Sequence, residues 1–190
     1  LRDGMCHLAG SHLLDPKTGT YTLGYVEQVL AGRDIAIVRL VHREQGLIVP
    51  PGNPLGLSGI EDLARGELRY VNRQRGSGTR VLLDYELARL GITPASIAGY
   101  EREEYTHLAV AASVAAGRSD CGLGVLAAAR AFGLGFVPLT REPYDLVLEA
   151  ATLEDPLLEP FWDLLSSADF RSSVRALGGY DTTEMGTRIL

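Results

Sequence analysis

Apolar residues in this chain fall into short runs divided by polar, glycine-rich and proline-rich stretches, and the runs alternate in length and period. Residues 35–40 (IAIVRL) predict a strand and 46–49 (GLIV) a second, shorter one. The cluster from Pro50 to Pro54 then punctuates the chain. Ser58 is placed to cap a short helix, with Glu61 at the capping-box position. Residues 68–72 predict a strand. Residues 78–90 predict a helix that Gly91 closes at its C-terminal cap. A second helix spans 105–118, with Thr106 as N-cap and an alanine-rich run ending at Gly117. Residues 121–125 and 136–139 predict short buried strands around a helix at 126–132. A strand at 144–148 and helices at 156–166 and 170–177 complete the chain. This βαβα order predicts an α/β architecture with mostly parallel strands.

Two connections cross one candidate boundary. The proline cluster at 50–54 divides the chain, and the strand at 144–148 is the return crossing. The expected organisation is therefore a first lobe from 1–49 and 143–190 and a second lobe from 50–142, joined at a hinge suited to closure around a ligand.

Composition narrows the class. Hydrophobic residues make up 46% of the 190 and charged residues 22%, which is globular rather than disordered. The net charge of −6 argues against a general nucleic-acid surface and requires any bound anion to find a local positive site. Cys6 and Cys121 lie in apolar or glycine-rich surroundings without C-x-x-C spacing and read as reduced, buried thiols. No apolar stretch approaches the ~18 residues of a membrane span, and no signal peptide is visible. The chain opens on Leu1 rather than Met, so it reads as a fragment of something longer. The expected location is the cytoplasm, with a removed leader as the alternative.

The most informative segment is 72–80 (NRQRGSGTR), which follows a strand and opens a helix. Gly76 and Gly78 let the backbone approach a ligand, and the first helical turn offers free N–H groups with a partial positive charge. Ser77 and Thr79 add hydroxyls, and Arg73, Arg75 and Arg80 add charge. Together these features predict an anion site, against the alternative of a capped turn with solvated arginines. The segment matches neither a Walker A loop nor a dinucleotide fingerprint.

Thr106 and His107 stand at a second helix start, where His107 reads equally as a first-turn surface residue. Arg43 and Gln45 occupy alternate positions after IAIVRL, so one strand face can carry both toward a ligand; the alternative is a polar hinge. Ser11 and His12 follow a small-residue turn at 9–10, with a buried imidazole as the other reading of His12. His7, His12, His42 and His107 lack metal-ligand spacing, and no G-x-S-x-G elbow is present. Neither a metal, nor a cofactor, nor a catalytic residue is expected.

The strings AGSHLLD, REQGLIV, NRQRGSGTR, EEYTHLAVAASVAAGRSDCGLG, FVPL and EPYDLVL, spread over roughly 4–182, resemble the PBP-like domain related to molybdate- and tungstate-binding proteins. That family is often joined to helix-turn-helix regulators or to molybdopterin-biosynthesis proteins. The resemblance implies a type II periplasmic-binding-protein-like fold of two lobes with an oxyanion between them. It implies a ligand set of Ser11, His12, Arg43, Gln45, the loop Arg75, Gly76, Ser77, Gly78, Thr79 and Arg80, then Thr106, His107 and Tyr144. It further implies a non-enzymatic sensor domain whose only DNA contact would come through a separate upstream domain; the alternatives are the receptor of an oxyanion transporter and, less favoured, an enzyme. A lobe of this fold normally opens with a further strand and helix, which would precede Leu1. The first lobe is therefore expected to be incomplete, with its exposed edge covered in a homodimer.

Overall fold

The computed structural model describes residues 1–190 and separates into two compact α/β units, one formed by 1–43 with 142–190 and the other by 44–141. The chain crosses between them inside two long strands, β2 (Ile35–Val49) and β6 (Gly135–Glu149). The proline cluster at 50–54 therefore ends a strand that has already entered the second unit.

In the unit of 1–43 and 142–190, β1 (Leu8–Ser11) pairs antiparallel with β6, setting Gly10 opposite Leu146 and Ser11 opposite Asp145. The two-residue strand β7 (Tyr180–Asp181) pairs with β2 and sets Tyr180 opposite Arg43. Period-2 alternation divides the core. Ile35, Ile37 and Val147 pack with Val26 of α1 (Leu23–Val29) and with Leu30. Ala36, Val38, Leu146 and Leu148 pack on the other side with Leu165, Trp162 and Phe170 of the C-terminal helices. Those helices, α5 (Glu159–Ser166) and α6 (Ala168–Ala176), complete this unit.

In the unit of 44–141, β3 (Tyr70–Arg73) lies parallel to both β4 (Glu103–Glu104) and β5 (Cys121–Val125). The second half of β2 closes the set antiparallel to β5, with Gln45 opposite Val125. The ladders β1–β6, β2–β5 and β2–β7 are antiparallel, so the mixed sheets replace the expected mostly parallel arrangement. α2 (Gly78–Leu90) ends at Gly91, whose φ of +68° is the left-handed cap that its sequence predicts. α3 (His107–Ala115) and α4 (Leu126–Ala131) bury Val110, Ala111, Val114, Ala128 and Ala129 against Ile48, Val71 and Val125. Small alanines on α3 let that helix approach the sheet closely.

Several local expectations change. The strands expected at 35–40 and 46–49 are one strand, because the polar stretch between them alternates half-buried and buried positions rather than forming a loop. The same holds for 136–139 and 144–148 in β6. Residues 9–11 lie in strand β1, not in a turn. The turn at 60–64 is a 3-10 helix anchored by Asp62 rather than Glu61: its carboxylate accepts from the Ser58 N–H at 2.6 Å and the Ser58 hydroxyl at 2.9 Å. Cys121 is buried, which pushes its thiol up, whereas Cys6 is exposed. No helix is long and apolar enough to cross a membrane.

Candidate functional site

The parallel pairing of β3 with β4 sets Asn72 opposite Glu103 and Arg73 opposite Glu104, so the two strands end side by side. Each then opens a helix, and both helix starts lie at the C-terminal edge of the parallel strands, where α/β folds place their ligands. At the first start Gly76 takes a φ of +84°, a left-handed conformation that glycine adopts without strain. The Ser77 side chain caps α2 by accepting from the Arg80 N–H at 3.2 Å. The Val81 N–H bonds the Ser77 carbonyl at 3.0 Å, which leaves the Gly78 and Thr79 N–H groups available at the first turn. The Thr79 hydroxyl accepts from the Gln45 side-chain amide at 3.0 Å, so its own hydrogen is free to be donated.

At the second start Thr106 caps α3 by accepting from the Ala109 N–H at 3.0 Å. His107 is the first residue of that helix, and its ring lies beside Gly124 of β5. Gln45, Ser77, Thr79, Thr106 and His107 are thus placed on one edge of this unit by the register of four strands.

The arginines of the same segment behave differently from the sequence expectation. Arg80 is 4% exposed, lies over the Tyr100 ring at 3.9 Å and reaches Asp84 at 3.3 Å and Glu103 at 3.4 Å. Asp84 also accepts from the Tyr100 hydroxyl at 2.5 Å; burial, then this bond, hold the Tyr100 phenol above its ordinary range. Arg75 is 74% exposed and donates to Glu101 at 2.9 Å. Arg73 donates to the Gln74 side chain at 3.0 Å and to the Tyr105 carbonyl at 3.1 Å. These guanidiniums pin the loop to β4 and its flanks. The positive character left for an anion comes from the first-turn N–H groups and hydroxyls.

The unit of 1–43 and 142–190 carries a second set. Arg43 is 9% exposed and donates from Nε to Glu142 at 2.5 Å, while Glu142 is 0% exposed. The Arg43 Nη2 is shielded from solvent and donates to no protein group. The guanidinium stands 4.9 Å from the centroid of the Tyr144 ring. Tyr144 in turn stacks on His12 at 4.9 Å with an interplanar angle of 15°. The stack needs a glycine at position 10, where a Cβ would come within 2.5 Å of the Tyr144 hydroxyl. Ser11 ends β1 next to this stack. Burial raises the Tyr180 phenol, with Arg43 pulling against it. Glu142 and Tyr180 escaped the sequence reading, although EPYDLVL contains the first of them. Nothing in their local spacing marks either; the β2–β7 register sets Tyr180 opposite Arg43, and Glu142 reaches Arg43 through its side chain.

Two α/β units joined by paired long strands, with polar donors gathered at strand ends, define the solute-binding fold of the periplasmic-binding-protein superfamily. The chain belongs to the PBP superfamily domain family, whose model matches residues 1–166. It is 38% identical over 187 residues to the uncharacterized protein YvgK of Bacillus subtilis (strain 168), covering 98% of this chain but 60% of that one. The chain therefore spans less than two thirds of that relative's length. Among solved structures it is similar to a putative phosphate ABC transporter substrate-binding protein with bound phosphate from Clostridium perfringens. That likeness has a TM-score of 0.63 at 14% identity, over 93% of this chain and 79% of the other. It is also similar to the substrate-binding domain of a putative molybdenum ABC transporter from Clostridium difficile. There the TM-score is 0.56 at 16% identity, over 94% of this chain and 78% of the other. At these identities the likeness establishes the fold.

Proposed function

We propose that this chain is a non-catalytic receptor for a small oxyanion, the class that includes molybdate, tungstate and phosphate. One observation carries the reading: in the unit of 44–141, parallel strands end side by side in two N-capped helices. Their first turns leave the Gly78, Thr79 and Leu108 N–H groups for a ligand, next to the hydroxyls of Ser77, Thr79 and Thr106. Helix N-termini and hydroxyls hold an oxyanion by hydrogen bonds to its charged oxygens. Binding of this kind needs no nucleophile, base or cofactor. The structural neighbours, a putative phosphate transporter substrate-binding protein and the substrate-binding domain of a putative molybdenum transporter, support the same ligand class.

Within that class the role we favour is a cytoplasmic sensor domain of a transcriptional regulator or molybdenum-cofactor-related protein. The second reading, a receptor for oxyanion uptake, is favoured by the transport function named for both neighbours. Anion-dependent DNA binding by the full-length gene product supports the sensor, and an exported full-length product supports the receptor.

The ligand reading is tested by thermal unfolding in a panel of molybdate, tungstate, phosphate, arsenate and sulfate. A ligand at about a hundred times its Kd stabilises the native state by ~2.7 kcal/mol, so at least one anion raises the Tm by several degrees. No shift with any anion at millimolar concentration contradicts the proposal.

A further inference from the structure

The unit of 44–141 holds a cavity of about 350 Å³ along the C-terminal half of α2 rather than at its start. Leu82, Glu86, Arg89 and Leu90 line it at the i, i+4, i+7 and i+8 spacing of one helix face. The start of the 3-10 turn at 60–64 with the two residues before it, β5 and residues 138–140 of β6 form the other walls. The volume falls at the small end of the ~300–1,000 Å³ range of small-molecule sites. None of the lining residues belongs to the proposed oxyanion site.

Part of the lining is apolar: Ile60, Leu82 and Leu123 are 5%, 4% and 1% exposed. The charged part is unequally satisfied. Glu86 is engaged by Arg89, whose Nε and Nη2 both donate to one carboxylate oxygen, at 2.9 and 2.7 Å. Glu61 makes no hydrogen bond and no ion pair. Its carboxylate nevertheless folds back over Gly59, a buried position where a Cβ would run into it. Glu86 holds the Arg89 guanidinium above its ordinary range, and Glu61 adds least to that shift. Two carboxylates and one guanidinium therefore leave one negative charge at the cavity without a partner. The Ser58 hydroxyl donates to Asp62 at 2.9 Å, so its oxygen is left as an acceptor. Thr140 brings a second hydroxyl.

These groups select a ligand class. An anion meets an uncompensated carboxylate, and a neutral hydrocarbon leaves that carboxylate unused. A metal ion needs several oxygen or nitrogen ligands, and no group of three or more His, Cys, Asp or Glu side chains gathers here. An ammonium group carries donors only, which matches a carboxylate and hydroxyl oxygens. A hydrocarbon body attached to it covers the leucines and the isoleucine. We propose that this cavity binds a small organic monocation of the alkyl- or cycloalkylammonium type, with Glu61 as the residue that recognises the charge. The proposal does not rest on the oxyanion reading, since it uses neither the start of α2 nor that of α3.

The test is an NMR titration of the whole isotope-labelled chain at pH 7 with three probes. Cyclohexylmethylamine carries both charge and hydrocarbon, cyclohexylmethanol is its neutral counterpart, and methylammonium lacks the hydrocarbon. The amine is expected to bind saturably in the millimolar range or tighter and to shift the amide signals of Glu61, Leu123 and Thr140. Each of the other two probes is expected to bind at least about tenfold more weakly, the first for want of the charged hydrogen bond and the second for want of apolar contact. Glu61→Gln, a change at an exposed side chain that makes no bond of its own, is expected to lower amine affinity by about tenfold or more. Oxyanion affinity, titrated separately in the same variant, should stay unchanged. Equal binding of amine and alcohol, an unchanged amine affinity in Glu61→Gln, or shifts confined to other residues would overturn the proposal. So would the absence of saturable amine binding at millimolar concentration, and none of these outcomes bears on the oxyanion receptor.

Discussion

The arginines of the loop at 73–80 and Arg43 of the other unit look alike in sequence, as cations beside small or polar residues, yet the fold uses them in opposite ways. Arg80 is closed on every side by Tyr100, Asp84 and Glu103. Arg75 pairs with Glu101 at the surface. Arg43 has a single acidic partner and one N–H with none. A cation beside a glycine-rich loop is therefore not in itself a ligand-binding charge. The distinction depends on which acids the strand register brings alongside. In the loop, Glu103 of β4, Glu101 just before that strand and Asp84 one turn along α2 supply them. In the proposed site, anion binding at the loop is left to dipolar groups, which fits a chain whose net charge is −6.

This contrast can be broken by substitution. Arg43→Met removes the arginine partner of a wholly buried carboxylate and is expected to cost about 3–5 kcal/mol, measured by urea unfolding. A loss below about 1 kcal/mol would mean that the Arg43–Glu142 pair is not what holds this carboxylate in the folded protein. Arg80→Met removes a cation–π contact and two ion pairs whose carboxylates are partly hydrated, so a loss of about 1–3 kcal/mol is expected. Because this guanidinium is already engaged, oxyanion affinity in Arg80→Met should change by less than about threefold. A tenfold fall in a folded protein would return Arg80 to the ligand shell. The smallest effect is expected from Arg75→Ala, which disrupts an exposed pair of the kind that contributes ~0–1 kcal/mol and should leave anion binding unchanged.

Much of the fold was legible because it is locally encoded. Ser77 before α2, Gly91 after it and Thr106 before α3 are capping residues whose effect is confined to one helical turn, and each stands in the expected place. The long strands were not legible. Between the apolar ends of β2 lies RLVHREQ, whose polarity reads as a loop until Arg43 and Gln45 are seen to be buried beside acceptors of their own. The donors of the candidate site were legible as residue types at a helix start. Their electrostatics were not, since Glu142 beside Arg43, and Tyr100 and Glu103 beside Arg80, come from strands and loops further along the chain. Glu142 lies 99 residues from Arg43, and no spacing rule connects them.

The central claim is that an oxyanion is held by the dipoles and hydroxyls at the start of α2 rather than by its arginines. Titration calorimetry of Ser77→Ala/Thr79→Ala against the wild type, with the anion that gives the largest thermal shift, tests it most directly. Each lost hydroxyl removes a bond of roughly 1.5–3 kcal/mol to a charged group, so affinity is expected to fall by about a hundredfold or more. The fold should survive, since loss of the capping hydroxyl costs only about 0.5–2 kcal/mol. Equal affinity in the wild type and in the folded double variant would contradict the account.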